Sequence, residues 1–250
     1  MTSQTILRYI SFLFEYGYAS SSIESAISSL VYFNKLNGFF DPRDELVKKA
    51  LVGVKNLRPR GQGSLPIPIE MLHKLIAEAS VALKNEFTAI LFKAMISLAY
   101  FALLRVGEFT YSQHCLLKEN ITIFQYSISI QFQSFKHSHG QGITQVIPVR
   151  SQDQACPVYL LKEYLPFRPK HANFLFAKLD GRAPSRAEFQ GWMFAVMEYC
   201  GYELEGYNTH SLRVGMATHM ALQGHSSEQI KLAGRWGSDA YKKYIRVNRL

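Results

Sequence analysis

Between Arg58 and Pro68 the chain reads Arg58-Pro59-Arg60-Gly61-Gln62-Gly63-Ser64-Leu65-Pro66-Ile67-Pro68, and no helix can run through prolines and glycines at that spacing. The chain must therefore fold on either side of this segment, and the two sides read differently. Before it, from Thr5 to about Lys55, Ile6, Tyr9, Ile10, Leu13, Ile23, Ile27, Leu30, Val31 and Phe33 recur at helical spacing. Gly17, Gly38 and Pro42 punctuate the pattern, and Ser20-Ser21-Ser22 offers an N-cap for the second helix. The expectation is a small helical bundle over residues 1–60, an extended linker over 61–68, and a larger domain over 69–250.

In that larger part the periodicity predicts helices over Glu70–Ala79 and Phe87–Arg105, the second apolar enough to be buried. From Ile121 to Val149 apolar and polar residues alternate instead, as in Tyr126-Ser127-Ile128-Ser129-Ile130-Gln131-Phe132-Gln133. A turn at His139-Gly140-Gln141-Gly142 and a second run, Thr144-Gln145-Val146-Ile147-Pro148-Val149, complete a small antiparallel sheet. Further helices are expected over Pro157–Leu165, Arg186–Cys200, Ser211–Gln223 and Glu228–Leu232, with Gly224 as a C-cap. The fold class is thus mainly α with a small antiparallel β-sheet: a helical bundle followed by an α+β domain.

Composition narrows the function. A 250-residue chain that is 48% hydrophobic can bury a core, and 28 Lys+Arg against 19 Asp+Glu leave a formal charge of +9, which favours a polyanionic partner. Cys115, Cys156 and Cys200 form no C-x-x-C pair, so neither a disulfide framework nor a cysteine zinc site is expected. The longest apolar stretches, such as Ala94–Leu104, are too short for a membrane span, and Met1-Thr2-Ser3-Gln4 lacks the basic start of a secretory signal. No P-loop, H-E-x-x-H or D-x-D motif occurs.

Four motifs carry chemistry. They are Leu104-Arg105-Val106-Gly107-Glu108, His210-Ser211-Leu212-Arg213, Gly234-Arg235-Trp236 and the late Tyr244. Two arginines, an imidazole, an indole N–H and a phenol are the groups needed to clamp a phosphodiester and attack it. Taken singly each has an ordinary explanation: Tyr244 is one of 14 tyrosines, Arg105 ends an apolar helix beside Glu108, and Trp236 suits a core. The ordered set resembles the tyrosine recombinase (phage integrase) family, whose order is Arg, Lys, His-x-x-Arg, His or Trp, Tyr. The stretch from Ala233 to Arg246 looks most like the recombinases of Crypton and DIRS-type eukaryotic mobile elements.

The resemblance implies that residues 1–60 are a core-binding, SAM-like DNA-binding domain and that residues 69–250 are the catalytic domain. It implies site-specific cleavage and rejoining of DNA through a 3′-phosphotyrosine, for integration or excision. Tyr244 is the expected nucleophile. Tyr241 is its rival on the same helical face, but it follows Trp236 by only five residues, whereas the family's spacing of eight or nine fits Tyr244. Arg105 and Arg213 would hold the nonbridging oxygens, His210 would take or return the tyrosine proton, and Trp236 would donate its indole N–H. Glu108 would orient His210 or an arginine. Lys136, expected at the end of the alternating strand, would protonate the leaving 5′-oxygen, with His137 and His139 as alternatives if the register slips.

Energy is conserved in the ester, so no cofactor and no metal is expected. Arg58, Arg60, Arg235, Lys242, Lys243 and Arg246 would face DNA phosphates, the last four together with Lys231 and Arg249. The expected partners are double-stranded DNA and further copies of the chain, as a homodimer or homotetramer on DNA, with no membrane. Two other readings are a catalytically silent DNA-binding descendant of a mobile element and a type IB topoisomerase-like enzyme.

Overall fold

The computed structural model describes residues 1–58, 63–133 and 142–246, and the chain divides into two units, Met1–Gly63 and Ser64–Leu250. In the first, α1 (Ser3–Glu15), α2 (Ser20–Leu36) and α3 (Glu45–Leu57) bury one stripe each: Ile6, Ile10 and Leu13 against Ile23, Ile27 and Val31, with Val47 and Val54 closing the bundle. Thr2 and Asp44 cap α1 and α3 through side-chain oxygens. The triple serine does not cap α2. Ala19 holds the N-cap position with no side-chain bond, because its carbonyl already receives the Ile23 N–H and Ser20 is the first helical residue. The serine hydroxyls further along turn back on the helix, Ser25 donating to the Ser21 carbonyl and Ser29 to that of Ser25.

The second unit runs α4 (Ile69–Leu83), α5 (Glu86–Phe101), α6 (Val106–Phe109), β1 (Ile121–Ile123), β2 (Ser127–Phe132), β3 (Ile143–Pro148), α7 (Pro157–Tyr164), α8 (Arg186–Tyr199), α9 (Ser211–Leu222) and α10 (Ser227–Gly234). A 3-10 turn at Asp239–Tyr244 follows. From Ala89 to Phe101 every residue of α5 except Lys93 is buried, so this helix is central, packed against α4, α7, α8 and α9. Each large aliphatic side chain buried there contributes about 1.5–3 kcal/mol.

Periodicity carries α5 on to Arg105, yet the helix stops at Phe101. Leu103 adopts a left-handed conformation (φ +46), and the Leu104 N–H returns to the Ala99 carbonyl, closing the helix end. Arg105 is therefore the extended residue that starts α6 rather than the last residue of α5. Helix α9 ends at Gln223 as its C-cap, and Gly224, one residue later, takes the left-handed position at φ +79.

The sheet has the order β1-β2-β3, antiparallel throughout, with Ile121 opposite Ile130 and Ile128 opposite Ile147. Ile128, Ile130 and Phe132 face the core, as alternation requires. The turn read at His139–Gly142 falls, apart from Gly142, outside the described residues. Ser64–Pro68, read as linker, belongs to the second unit. Leu65 N–H bonds the Gly206 carbonyl, Ile67 N–H bonds that of Ser211, and the Ile67 side chain is buried, because the extended backbone finds partners beside α9. No helix among the described residues is long and apolar enough to cross a membrane.

Candidate active site

Helix α9 places the H-x-x-R motif: His210 is its N-cap residue and Arg213 lies in its first turn. Its closeness to the chain before α4 depends on Gly215, where an added Cβ would sit 2.1 Å from the Ile67 carbonyl oxygen. Arg213 is only 1% exposed. Its two terminal nitrogens donate to the carbonyls of Leu103 and Gly234, which are left at the C-terminal ends of α5 and α10. Two helix ends, each carrying partial negative charge, thus aim one guanidinium. Burial, and then the neighbouring Arg105 and Arg235, press its pKa below the ordinary arginine value. A guanidinium in this setting remains charged at neutral pH.

Glu108 ties the next layer together. Its buried carboxylate accepts from the Arg105 N–H at 2.8 Å, from Arg105 Nη1 at 3.1 Å and from Arg235 Nη2 at 2.6 Å. Removing one member of a buried, hydrogen-bonded pair costs about 3–5 kcal/mol. Glu108 therefore serves arginines; among the described residues no hydrogen bond joins it to His210. Arg105 keeps more than a quarter of its side chain exposed and so has free donors for a ligand.

Arg235, read from the sequence as a phosphate contact, is buried instead, with 1% of its side chain exposed. Besides Glu108 it donates to Gln145 Oε1 at 2.5 Å and to the Ala102 carbonyl at 3.2 Å, and its guanidinium lies 3.8 Å from the centre of the Phe132 ring. Burial lowers its pKa to about 10. Its backbone is left-handed (φ +54, ψ +46) at the position where Trp236 N–H closes α10 by bonding the Lys231 carbonyl. Glycine is usual there, and another residue costs about 1–2 kcal/mol.

The turn delivers Trp236 and then Tyr244. The Tyr244 ring packs against both His210 and Trp236, 4.8 Å from each ring centre, with the Arg213 guanidinium 5.5 Å from its own centre. Arg213 also stacks on Trp236 at 4.3 Å. Thr218, buried on α9, donates its hydroxyl to the Tyr244 carbonyl and accepts the Arg246 N–H, fixing the main chain on both sides. Tyr241 goes elsewhere: it is 3% exposed, its hydroxyl bonds Ser227 at 2.6 Å, and it packs with Ile230 and Met220. Although His210 is exposed, protein crowding around its ring, then Arg213, Arg186 and Arg246, lower its pKa to about 4. It is neutral at pH 7 and free to accept a proton.

Lys136 and Arg60 lie outside the described residues. Arg58 is committed within the first unit, donating to the Tyr18 carbonyl and stacking on Phe14 at 4.2 Å. Lys231 and Lys242 both engage Asp239, whereas Lys243 is exposed.

The sequence matches no protein-family model and no curated protein. The structure is similar to solved ones. The XerH site-specific recombinase, bound to its palindromic difH substrate after cleavage, aligns with TM-score 0.72 and 16% identity over 98% of this chain and 68% of its own. The Tn1549 transposon integrase, bound to circular-intermediate DNA, gives 0.65 and 14% over 98% and 81%. A lambda integrase dimer bound to a core site gives 0.63 and 15% over 99% and 65%. The chain has the tyrosine recombinase fold.

Within this tyrosine recombinase fold, Arg105, His210, Arg213, Trp236 and Tyr244 come together from four separate stretches of chain. Three supporting residues were not picked out from the sequence: Gln145, Thr218 and Arg235 in its buried role. Gln145 had a signal, since it interrupts the face that Ile143 and Ile147 share on β3. Thr218 had only its place in the middle of α9, and Arg235 had none, because a basic residue after a helix reads as solvated.

Proposed function

We propose that this chain is a site-specific DNA recombinase that cleaves and rejoins duplex DNA through a 3′-phosphotyrosine on Tyr244. The observation that carries the reading is the convergence at Tyr244: the imidazole of His210 and the indole of Trp236 each lie 4.8 Å from the phenol ring centre, and the buried Arg213 guanidinium lies 5.5 Å from it. In the step, Tyr244 Oη bonds to phosphorus while the phosphorus–O5′ bond breaks. His210 accepts the phenol proton, and O5′ takes a proton from a general acid, for which Lys136 is the candidate. Arg105 and Arg213 meet the charge that grows on the nonbridging oxygens, and Trp236 adds an N–H donor. One ester is exchanged for another, so a 5′-hydroxyl from a second strand reverses the step and rejoins the DNA.

Paired protomers on double-stranded DNA belong to the same reading, as does a mobile-element origin. The wording from Ala233 to Arg246 supports the Crypton and DIRS-type subgroup. The test is to incubate the full chain with a nicked suicide duplex carrying the element's junction, digest, and identify the DNA-linked peptide by mass spectrometry. A DNA 3′-phosphate on the Tyr244 peptide, with a free 5′-hydroxyl in the other product, is expected. Bound duplex without any adduct, or attachment through a 5′-phosphate, would overturn the reading.

A further inference from the structure

We infer that Arg235 is a positioning residue: its side chain couples the Trp236–Tyr244 segment and strand β3 to the Arg105–Glu108 pair, and so sets the geometry of cleavage. The inference rests on the recombinase reading above. Three observations carry it. First, an arginine occupies a left-handed position that glycine fills at no steric cost, while its side chain is almost wholly buried, so the side chain itself has a task. Second, its partners belong to separate elements: Glu108 on α6, Gln145 on β3, and the Ala102 carbonyl at the end of α5. Third, the coupling is reciprocal, since Gln145 Nε2 donates to the Ala233 carbonyl at 3.2 Å and Arg105 Nη2 reaches the Arg235 carbonyl at 3.4 Å.

The consequence is geometric. Glu108 accepts from both Arg105 and Arg235, and Trp236, the neighbour of Arg235 in sequence, stacks on Arg213. One planar fork thus sets the distance between the two arginines that meet the phosphate and the segment that brings the phenol. Lysine brings its donors from one nitrogen and does not reproduce the planar fork that reaches Gln145 from Nη1 and Glu108 from Nη2.

The test uses the full chain with Trp192→Phe, so that Trp236 is the one remaining indole, and adds Arg235→Lys or Arg235→Gly. The glycine variant keeps the left-handed turn and removes only the side chain. Both variants are expected to bind duplex DNA within twofold of the parent, to form the covalent adduct at least tenfold more slowly at saturating DNA, and to expose Trp236 to acrylamide quenching. Loss of stability alone leaves native-state quenching unchanged. A folded Arg235→Gly protein with parental quenching and parental adduct rate overturns the inference. If the parent itself forms no adduct, the recombinase reading falls separately, and unchanged quenching in both variants then still refutes the positioning role.

Discussion

At the scale of single residues, the site is built from charges that the fold forces together and holds through hydrogen bonds to Glu108, Gln145 and main-chain carbonyls. Arg213 is held by two helix-end carbonyls, and Glu108 accepts from Arg105 and Arg235 at once. Among the described residues His210 has no such partner and yields: with a pKa of about 4 in the folded chain, against about 6.5 unfolded, it binds fewer protons than the unfolded chain in between. Its contribution to stability is complete above pH 6.5 and is lost as the pH falls toward 4. A titration of the His210 ring followed by nuclear magnetic resonance is expected to give a midpoint below pH 5. Duplex DNA raises that midpoint, because phosphate beside the ring favours the imidazolium. A midpoint at 6.5 or above without DNA contradicts the neutral base assigned here.

At the scale of elements, the site depends on where helices stop and how closely they approach. Much of this was legible. The apolar run of α5 and the alternation of β2 follow from side-chain periodicity, which local sequence records, while the motifs were recognised by their resemblance to a family's order. The end of α5 was not legible, because Leu103 takes a left-handed conformation usually left to glycine, and the reason is tertiary: its carbonyl, turned outward, accepts from Arg213. Arg235 repeats the case at the end of α10. Gly215 shows how tight the approach is. Alanine in a helix interior ordinarily gains about 1 kcal/mol over glycine, but here the new methyl would meet a backbone carbonyl that cannot rotate away. The clash wins: Gly215→Ala is expected to lower stability by about 1–3 kcal/mol, measured by denaturant unfolding, and to slow adduct formation by displacing Arg213. An equal or higher stability would show that Ile67 gives way freely.

At the scale of the whole molecule, the chain carries two units, each with its own core, and a formal charge of +9. If both units contact DNA, affinity falls steeply with salt, with a log–log slope of about −0.9 for each phosphate neutralised. The fragment Ser64–Leu250 is then expected to bind one labelled duplex more weakly and with a shallower slope than the full chain. Equal slopes and affinities would mean that residues 1–63 do not touch DNA. The central claim is that the proposed chemistry takes place at one phenol, and the pair Tyr244→Phe and Tyr241→Phe tests it most directly. The two tyrosines are three residues apart, yet one ring stands among His210, Arg213 and Trp236 while the other is buried with its hydroxyl on Ser227. On a denaturing gel of protein trapped on nicked duplex, the account predicts no covalent band for Tyr244→Phe, with DNA binding kept, and a clear band for Tyr241→Phe. A band that persists in Tyr244→Phe and disappears in Tyr241→Phe would contradict it.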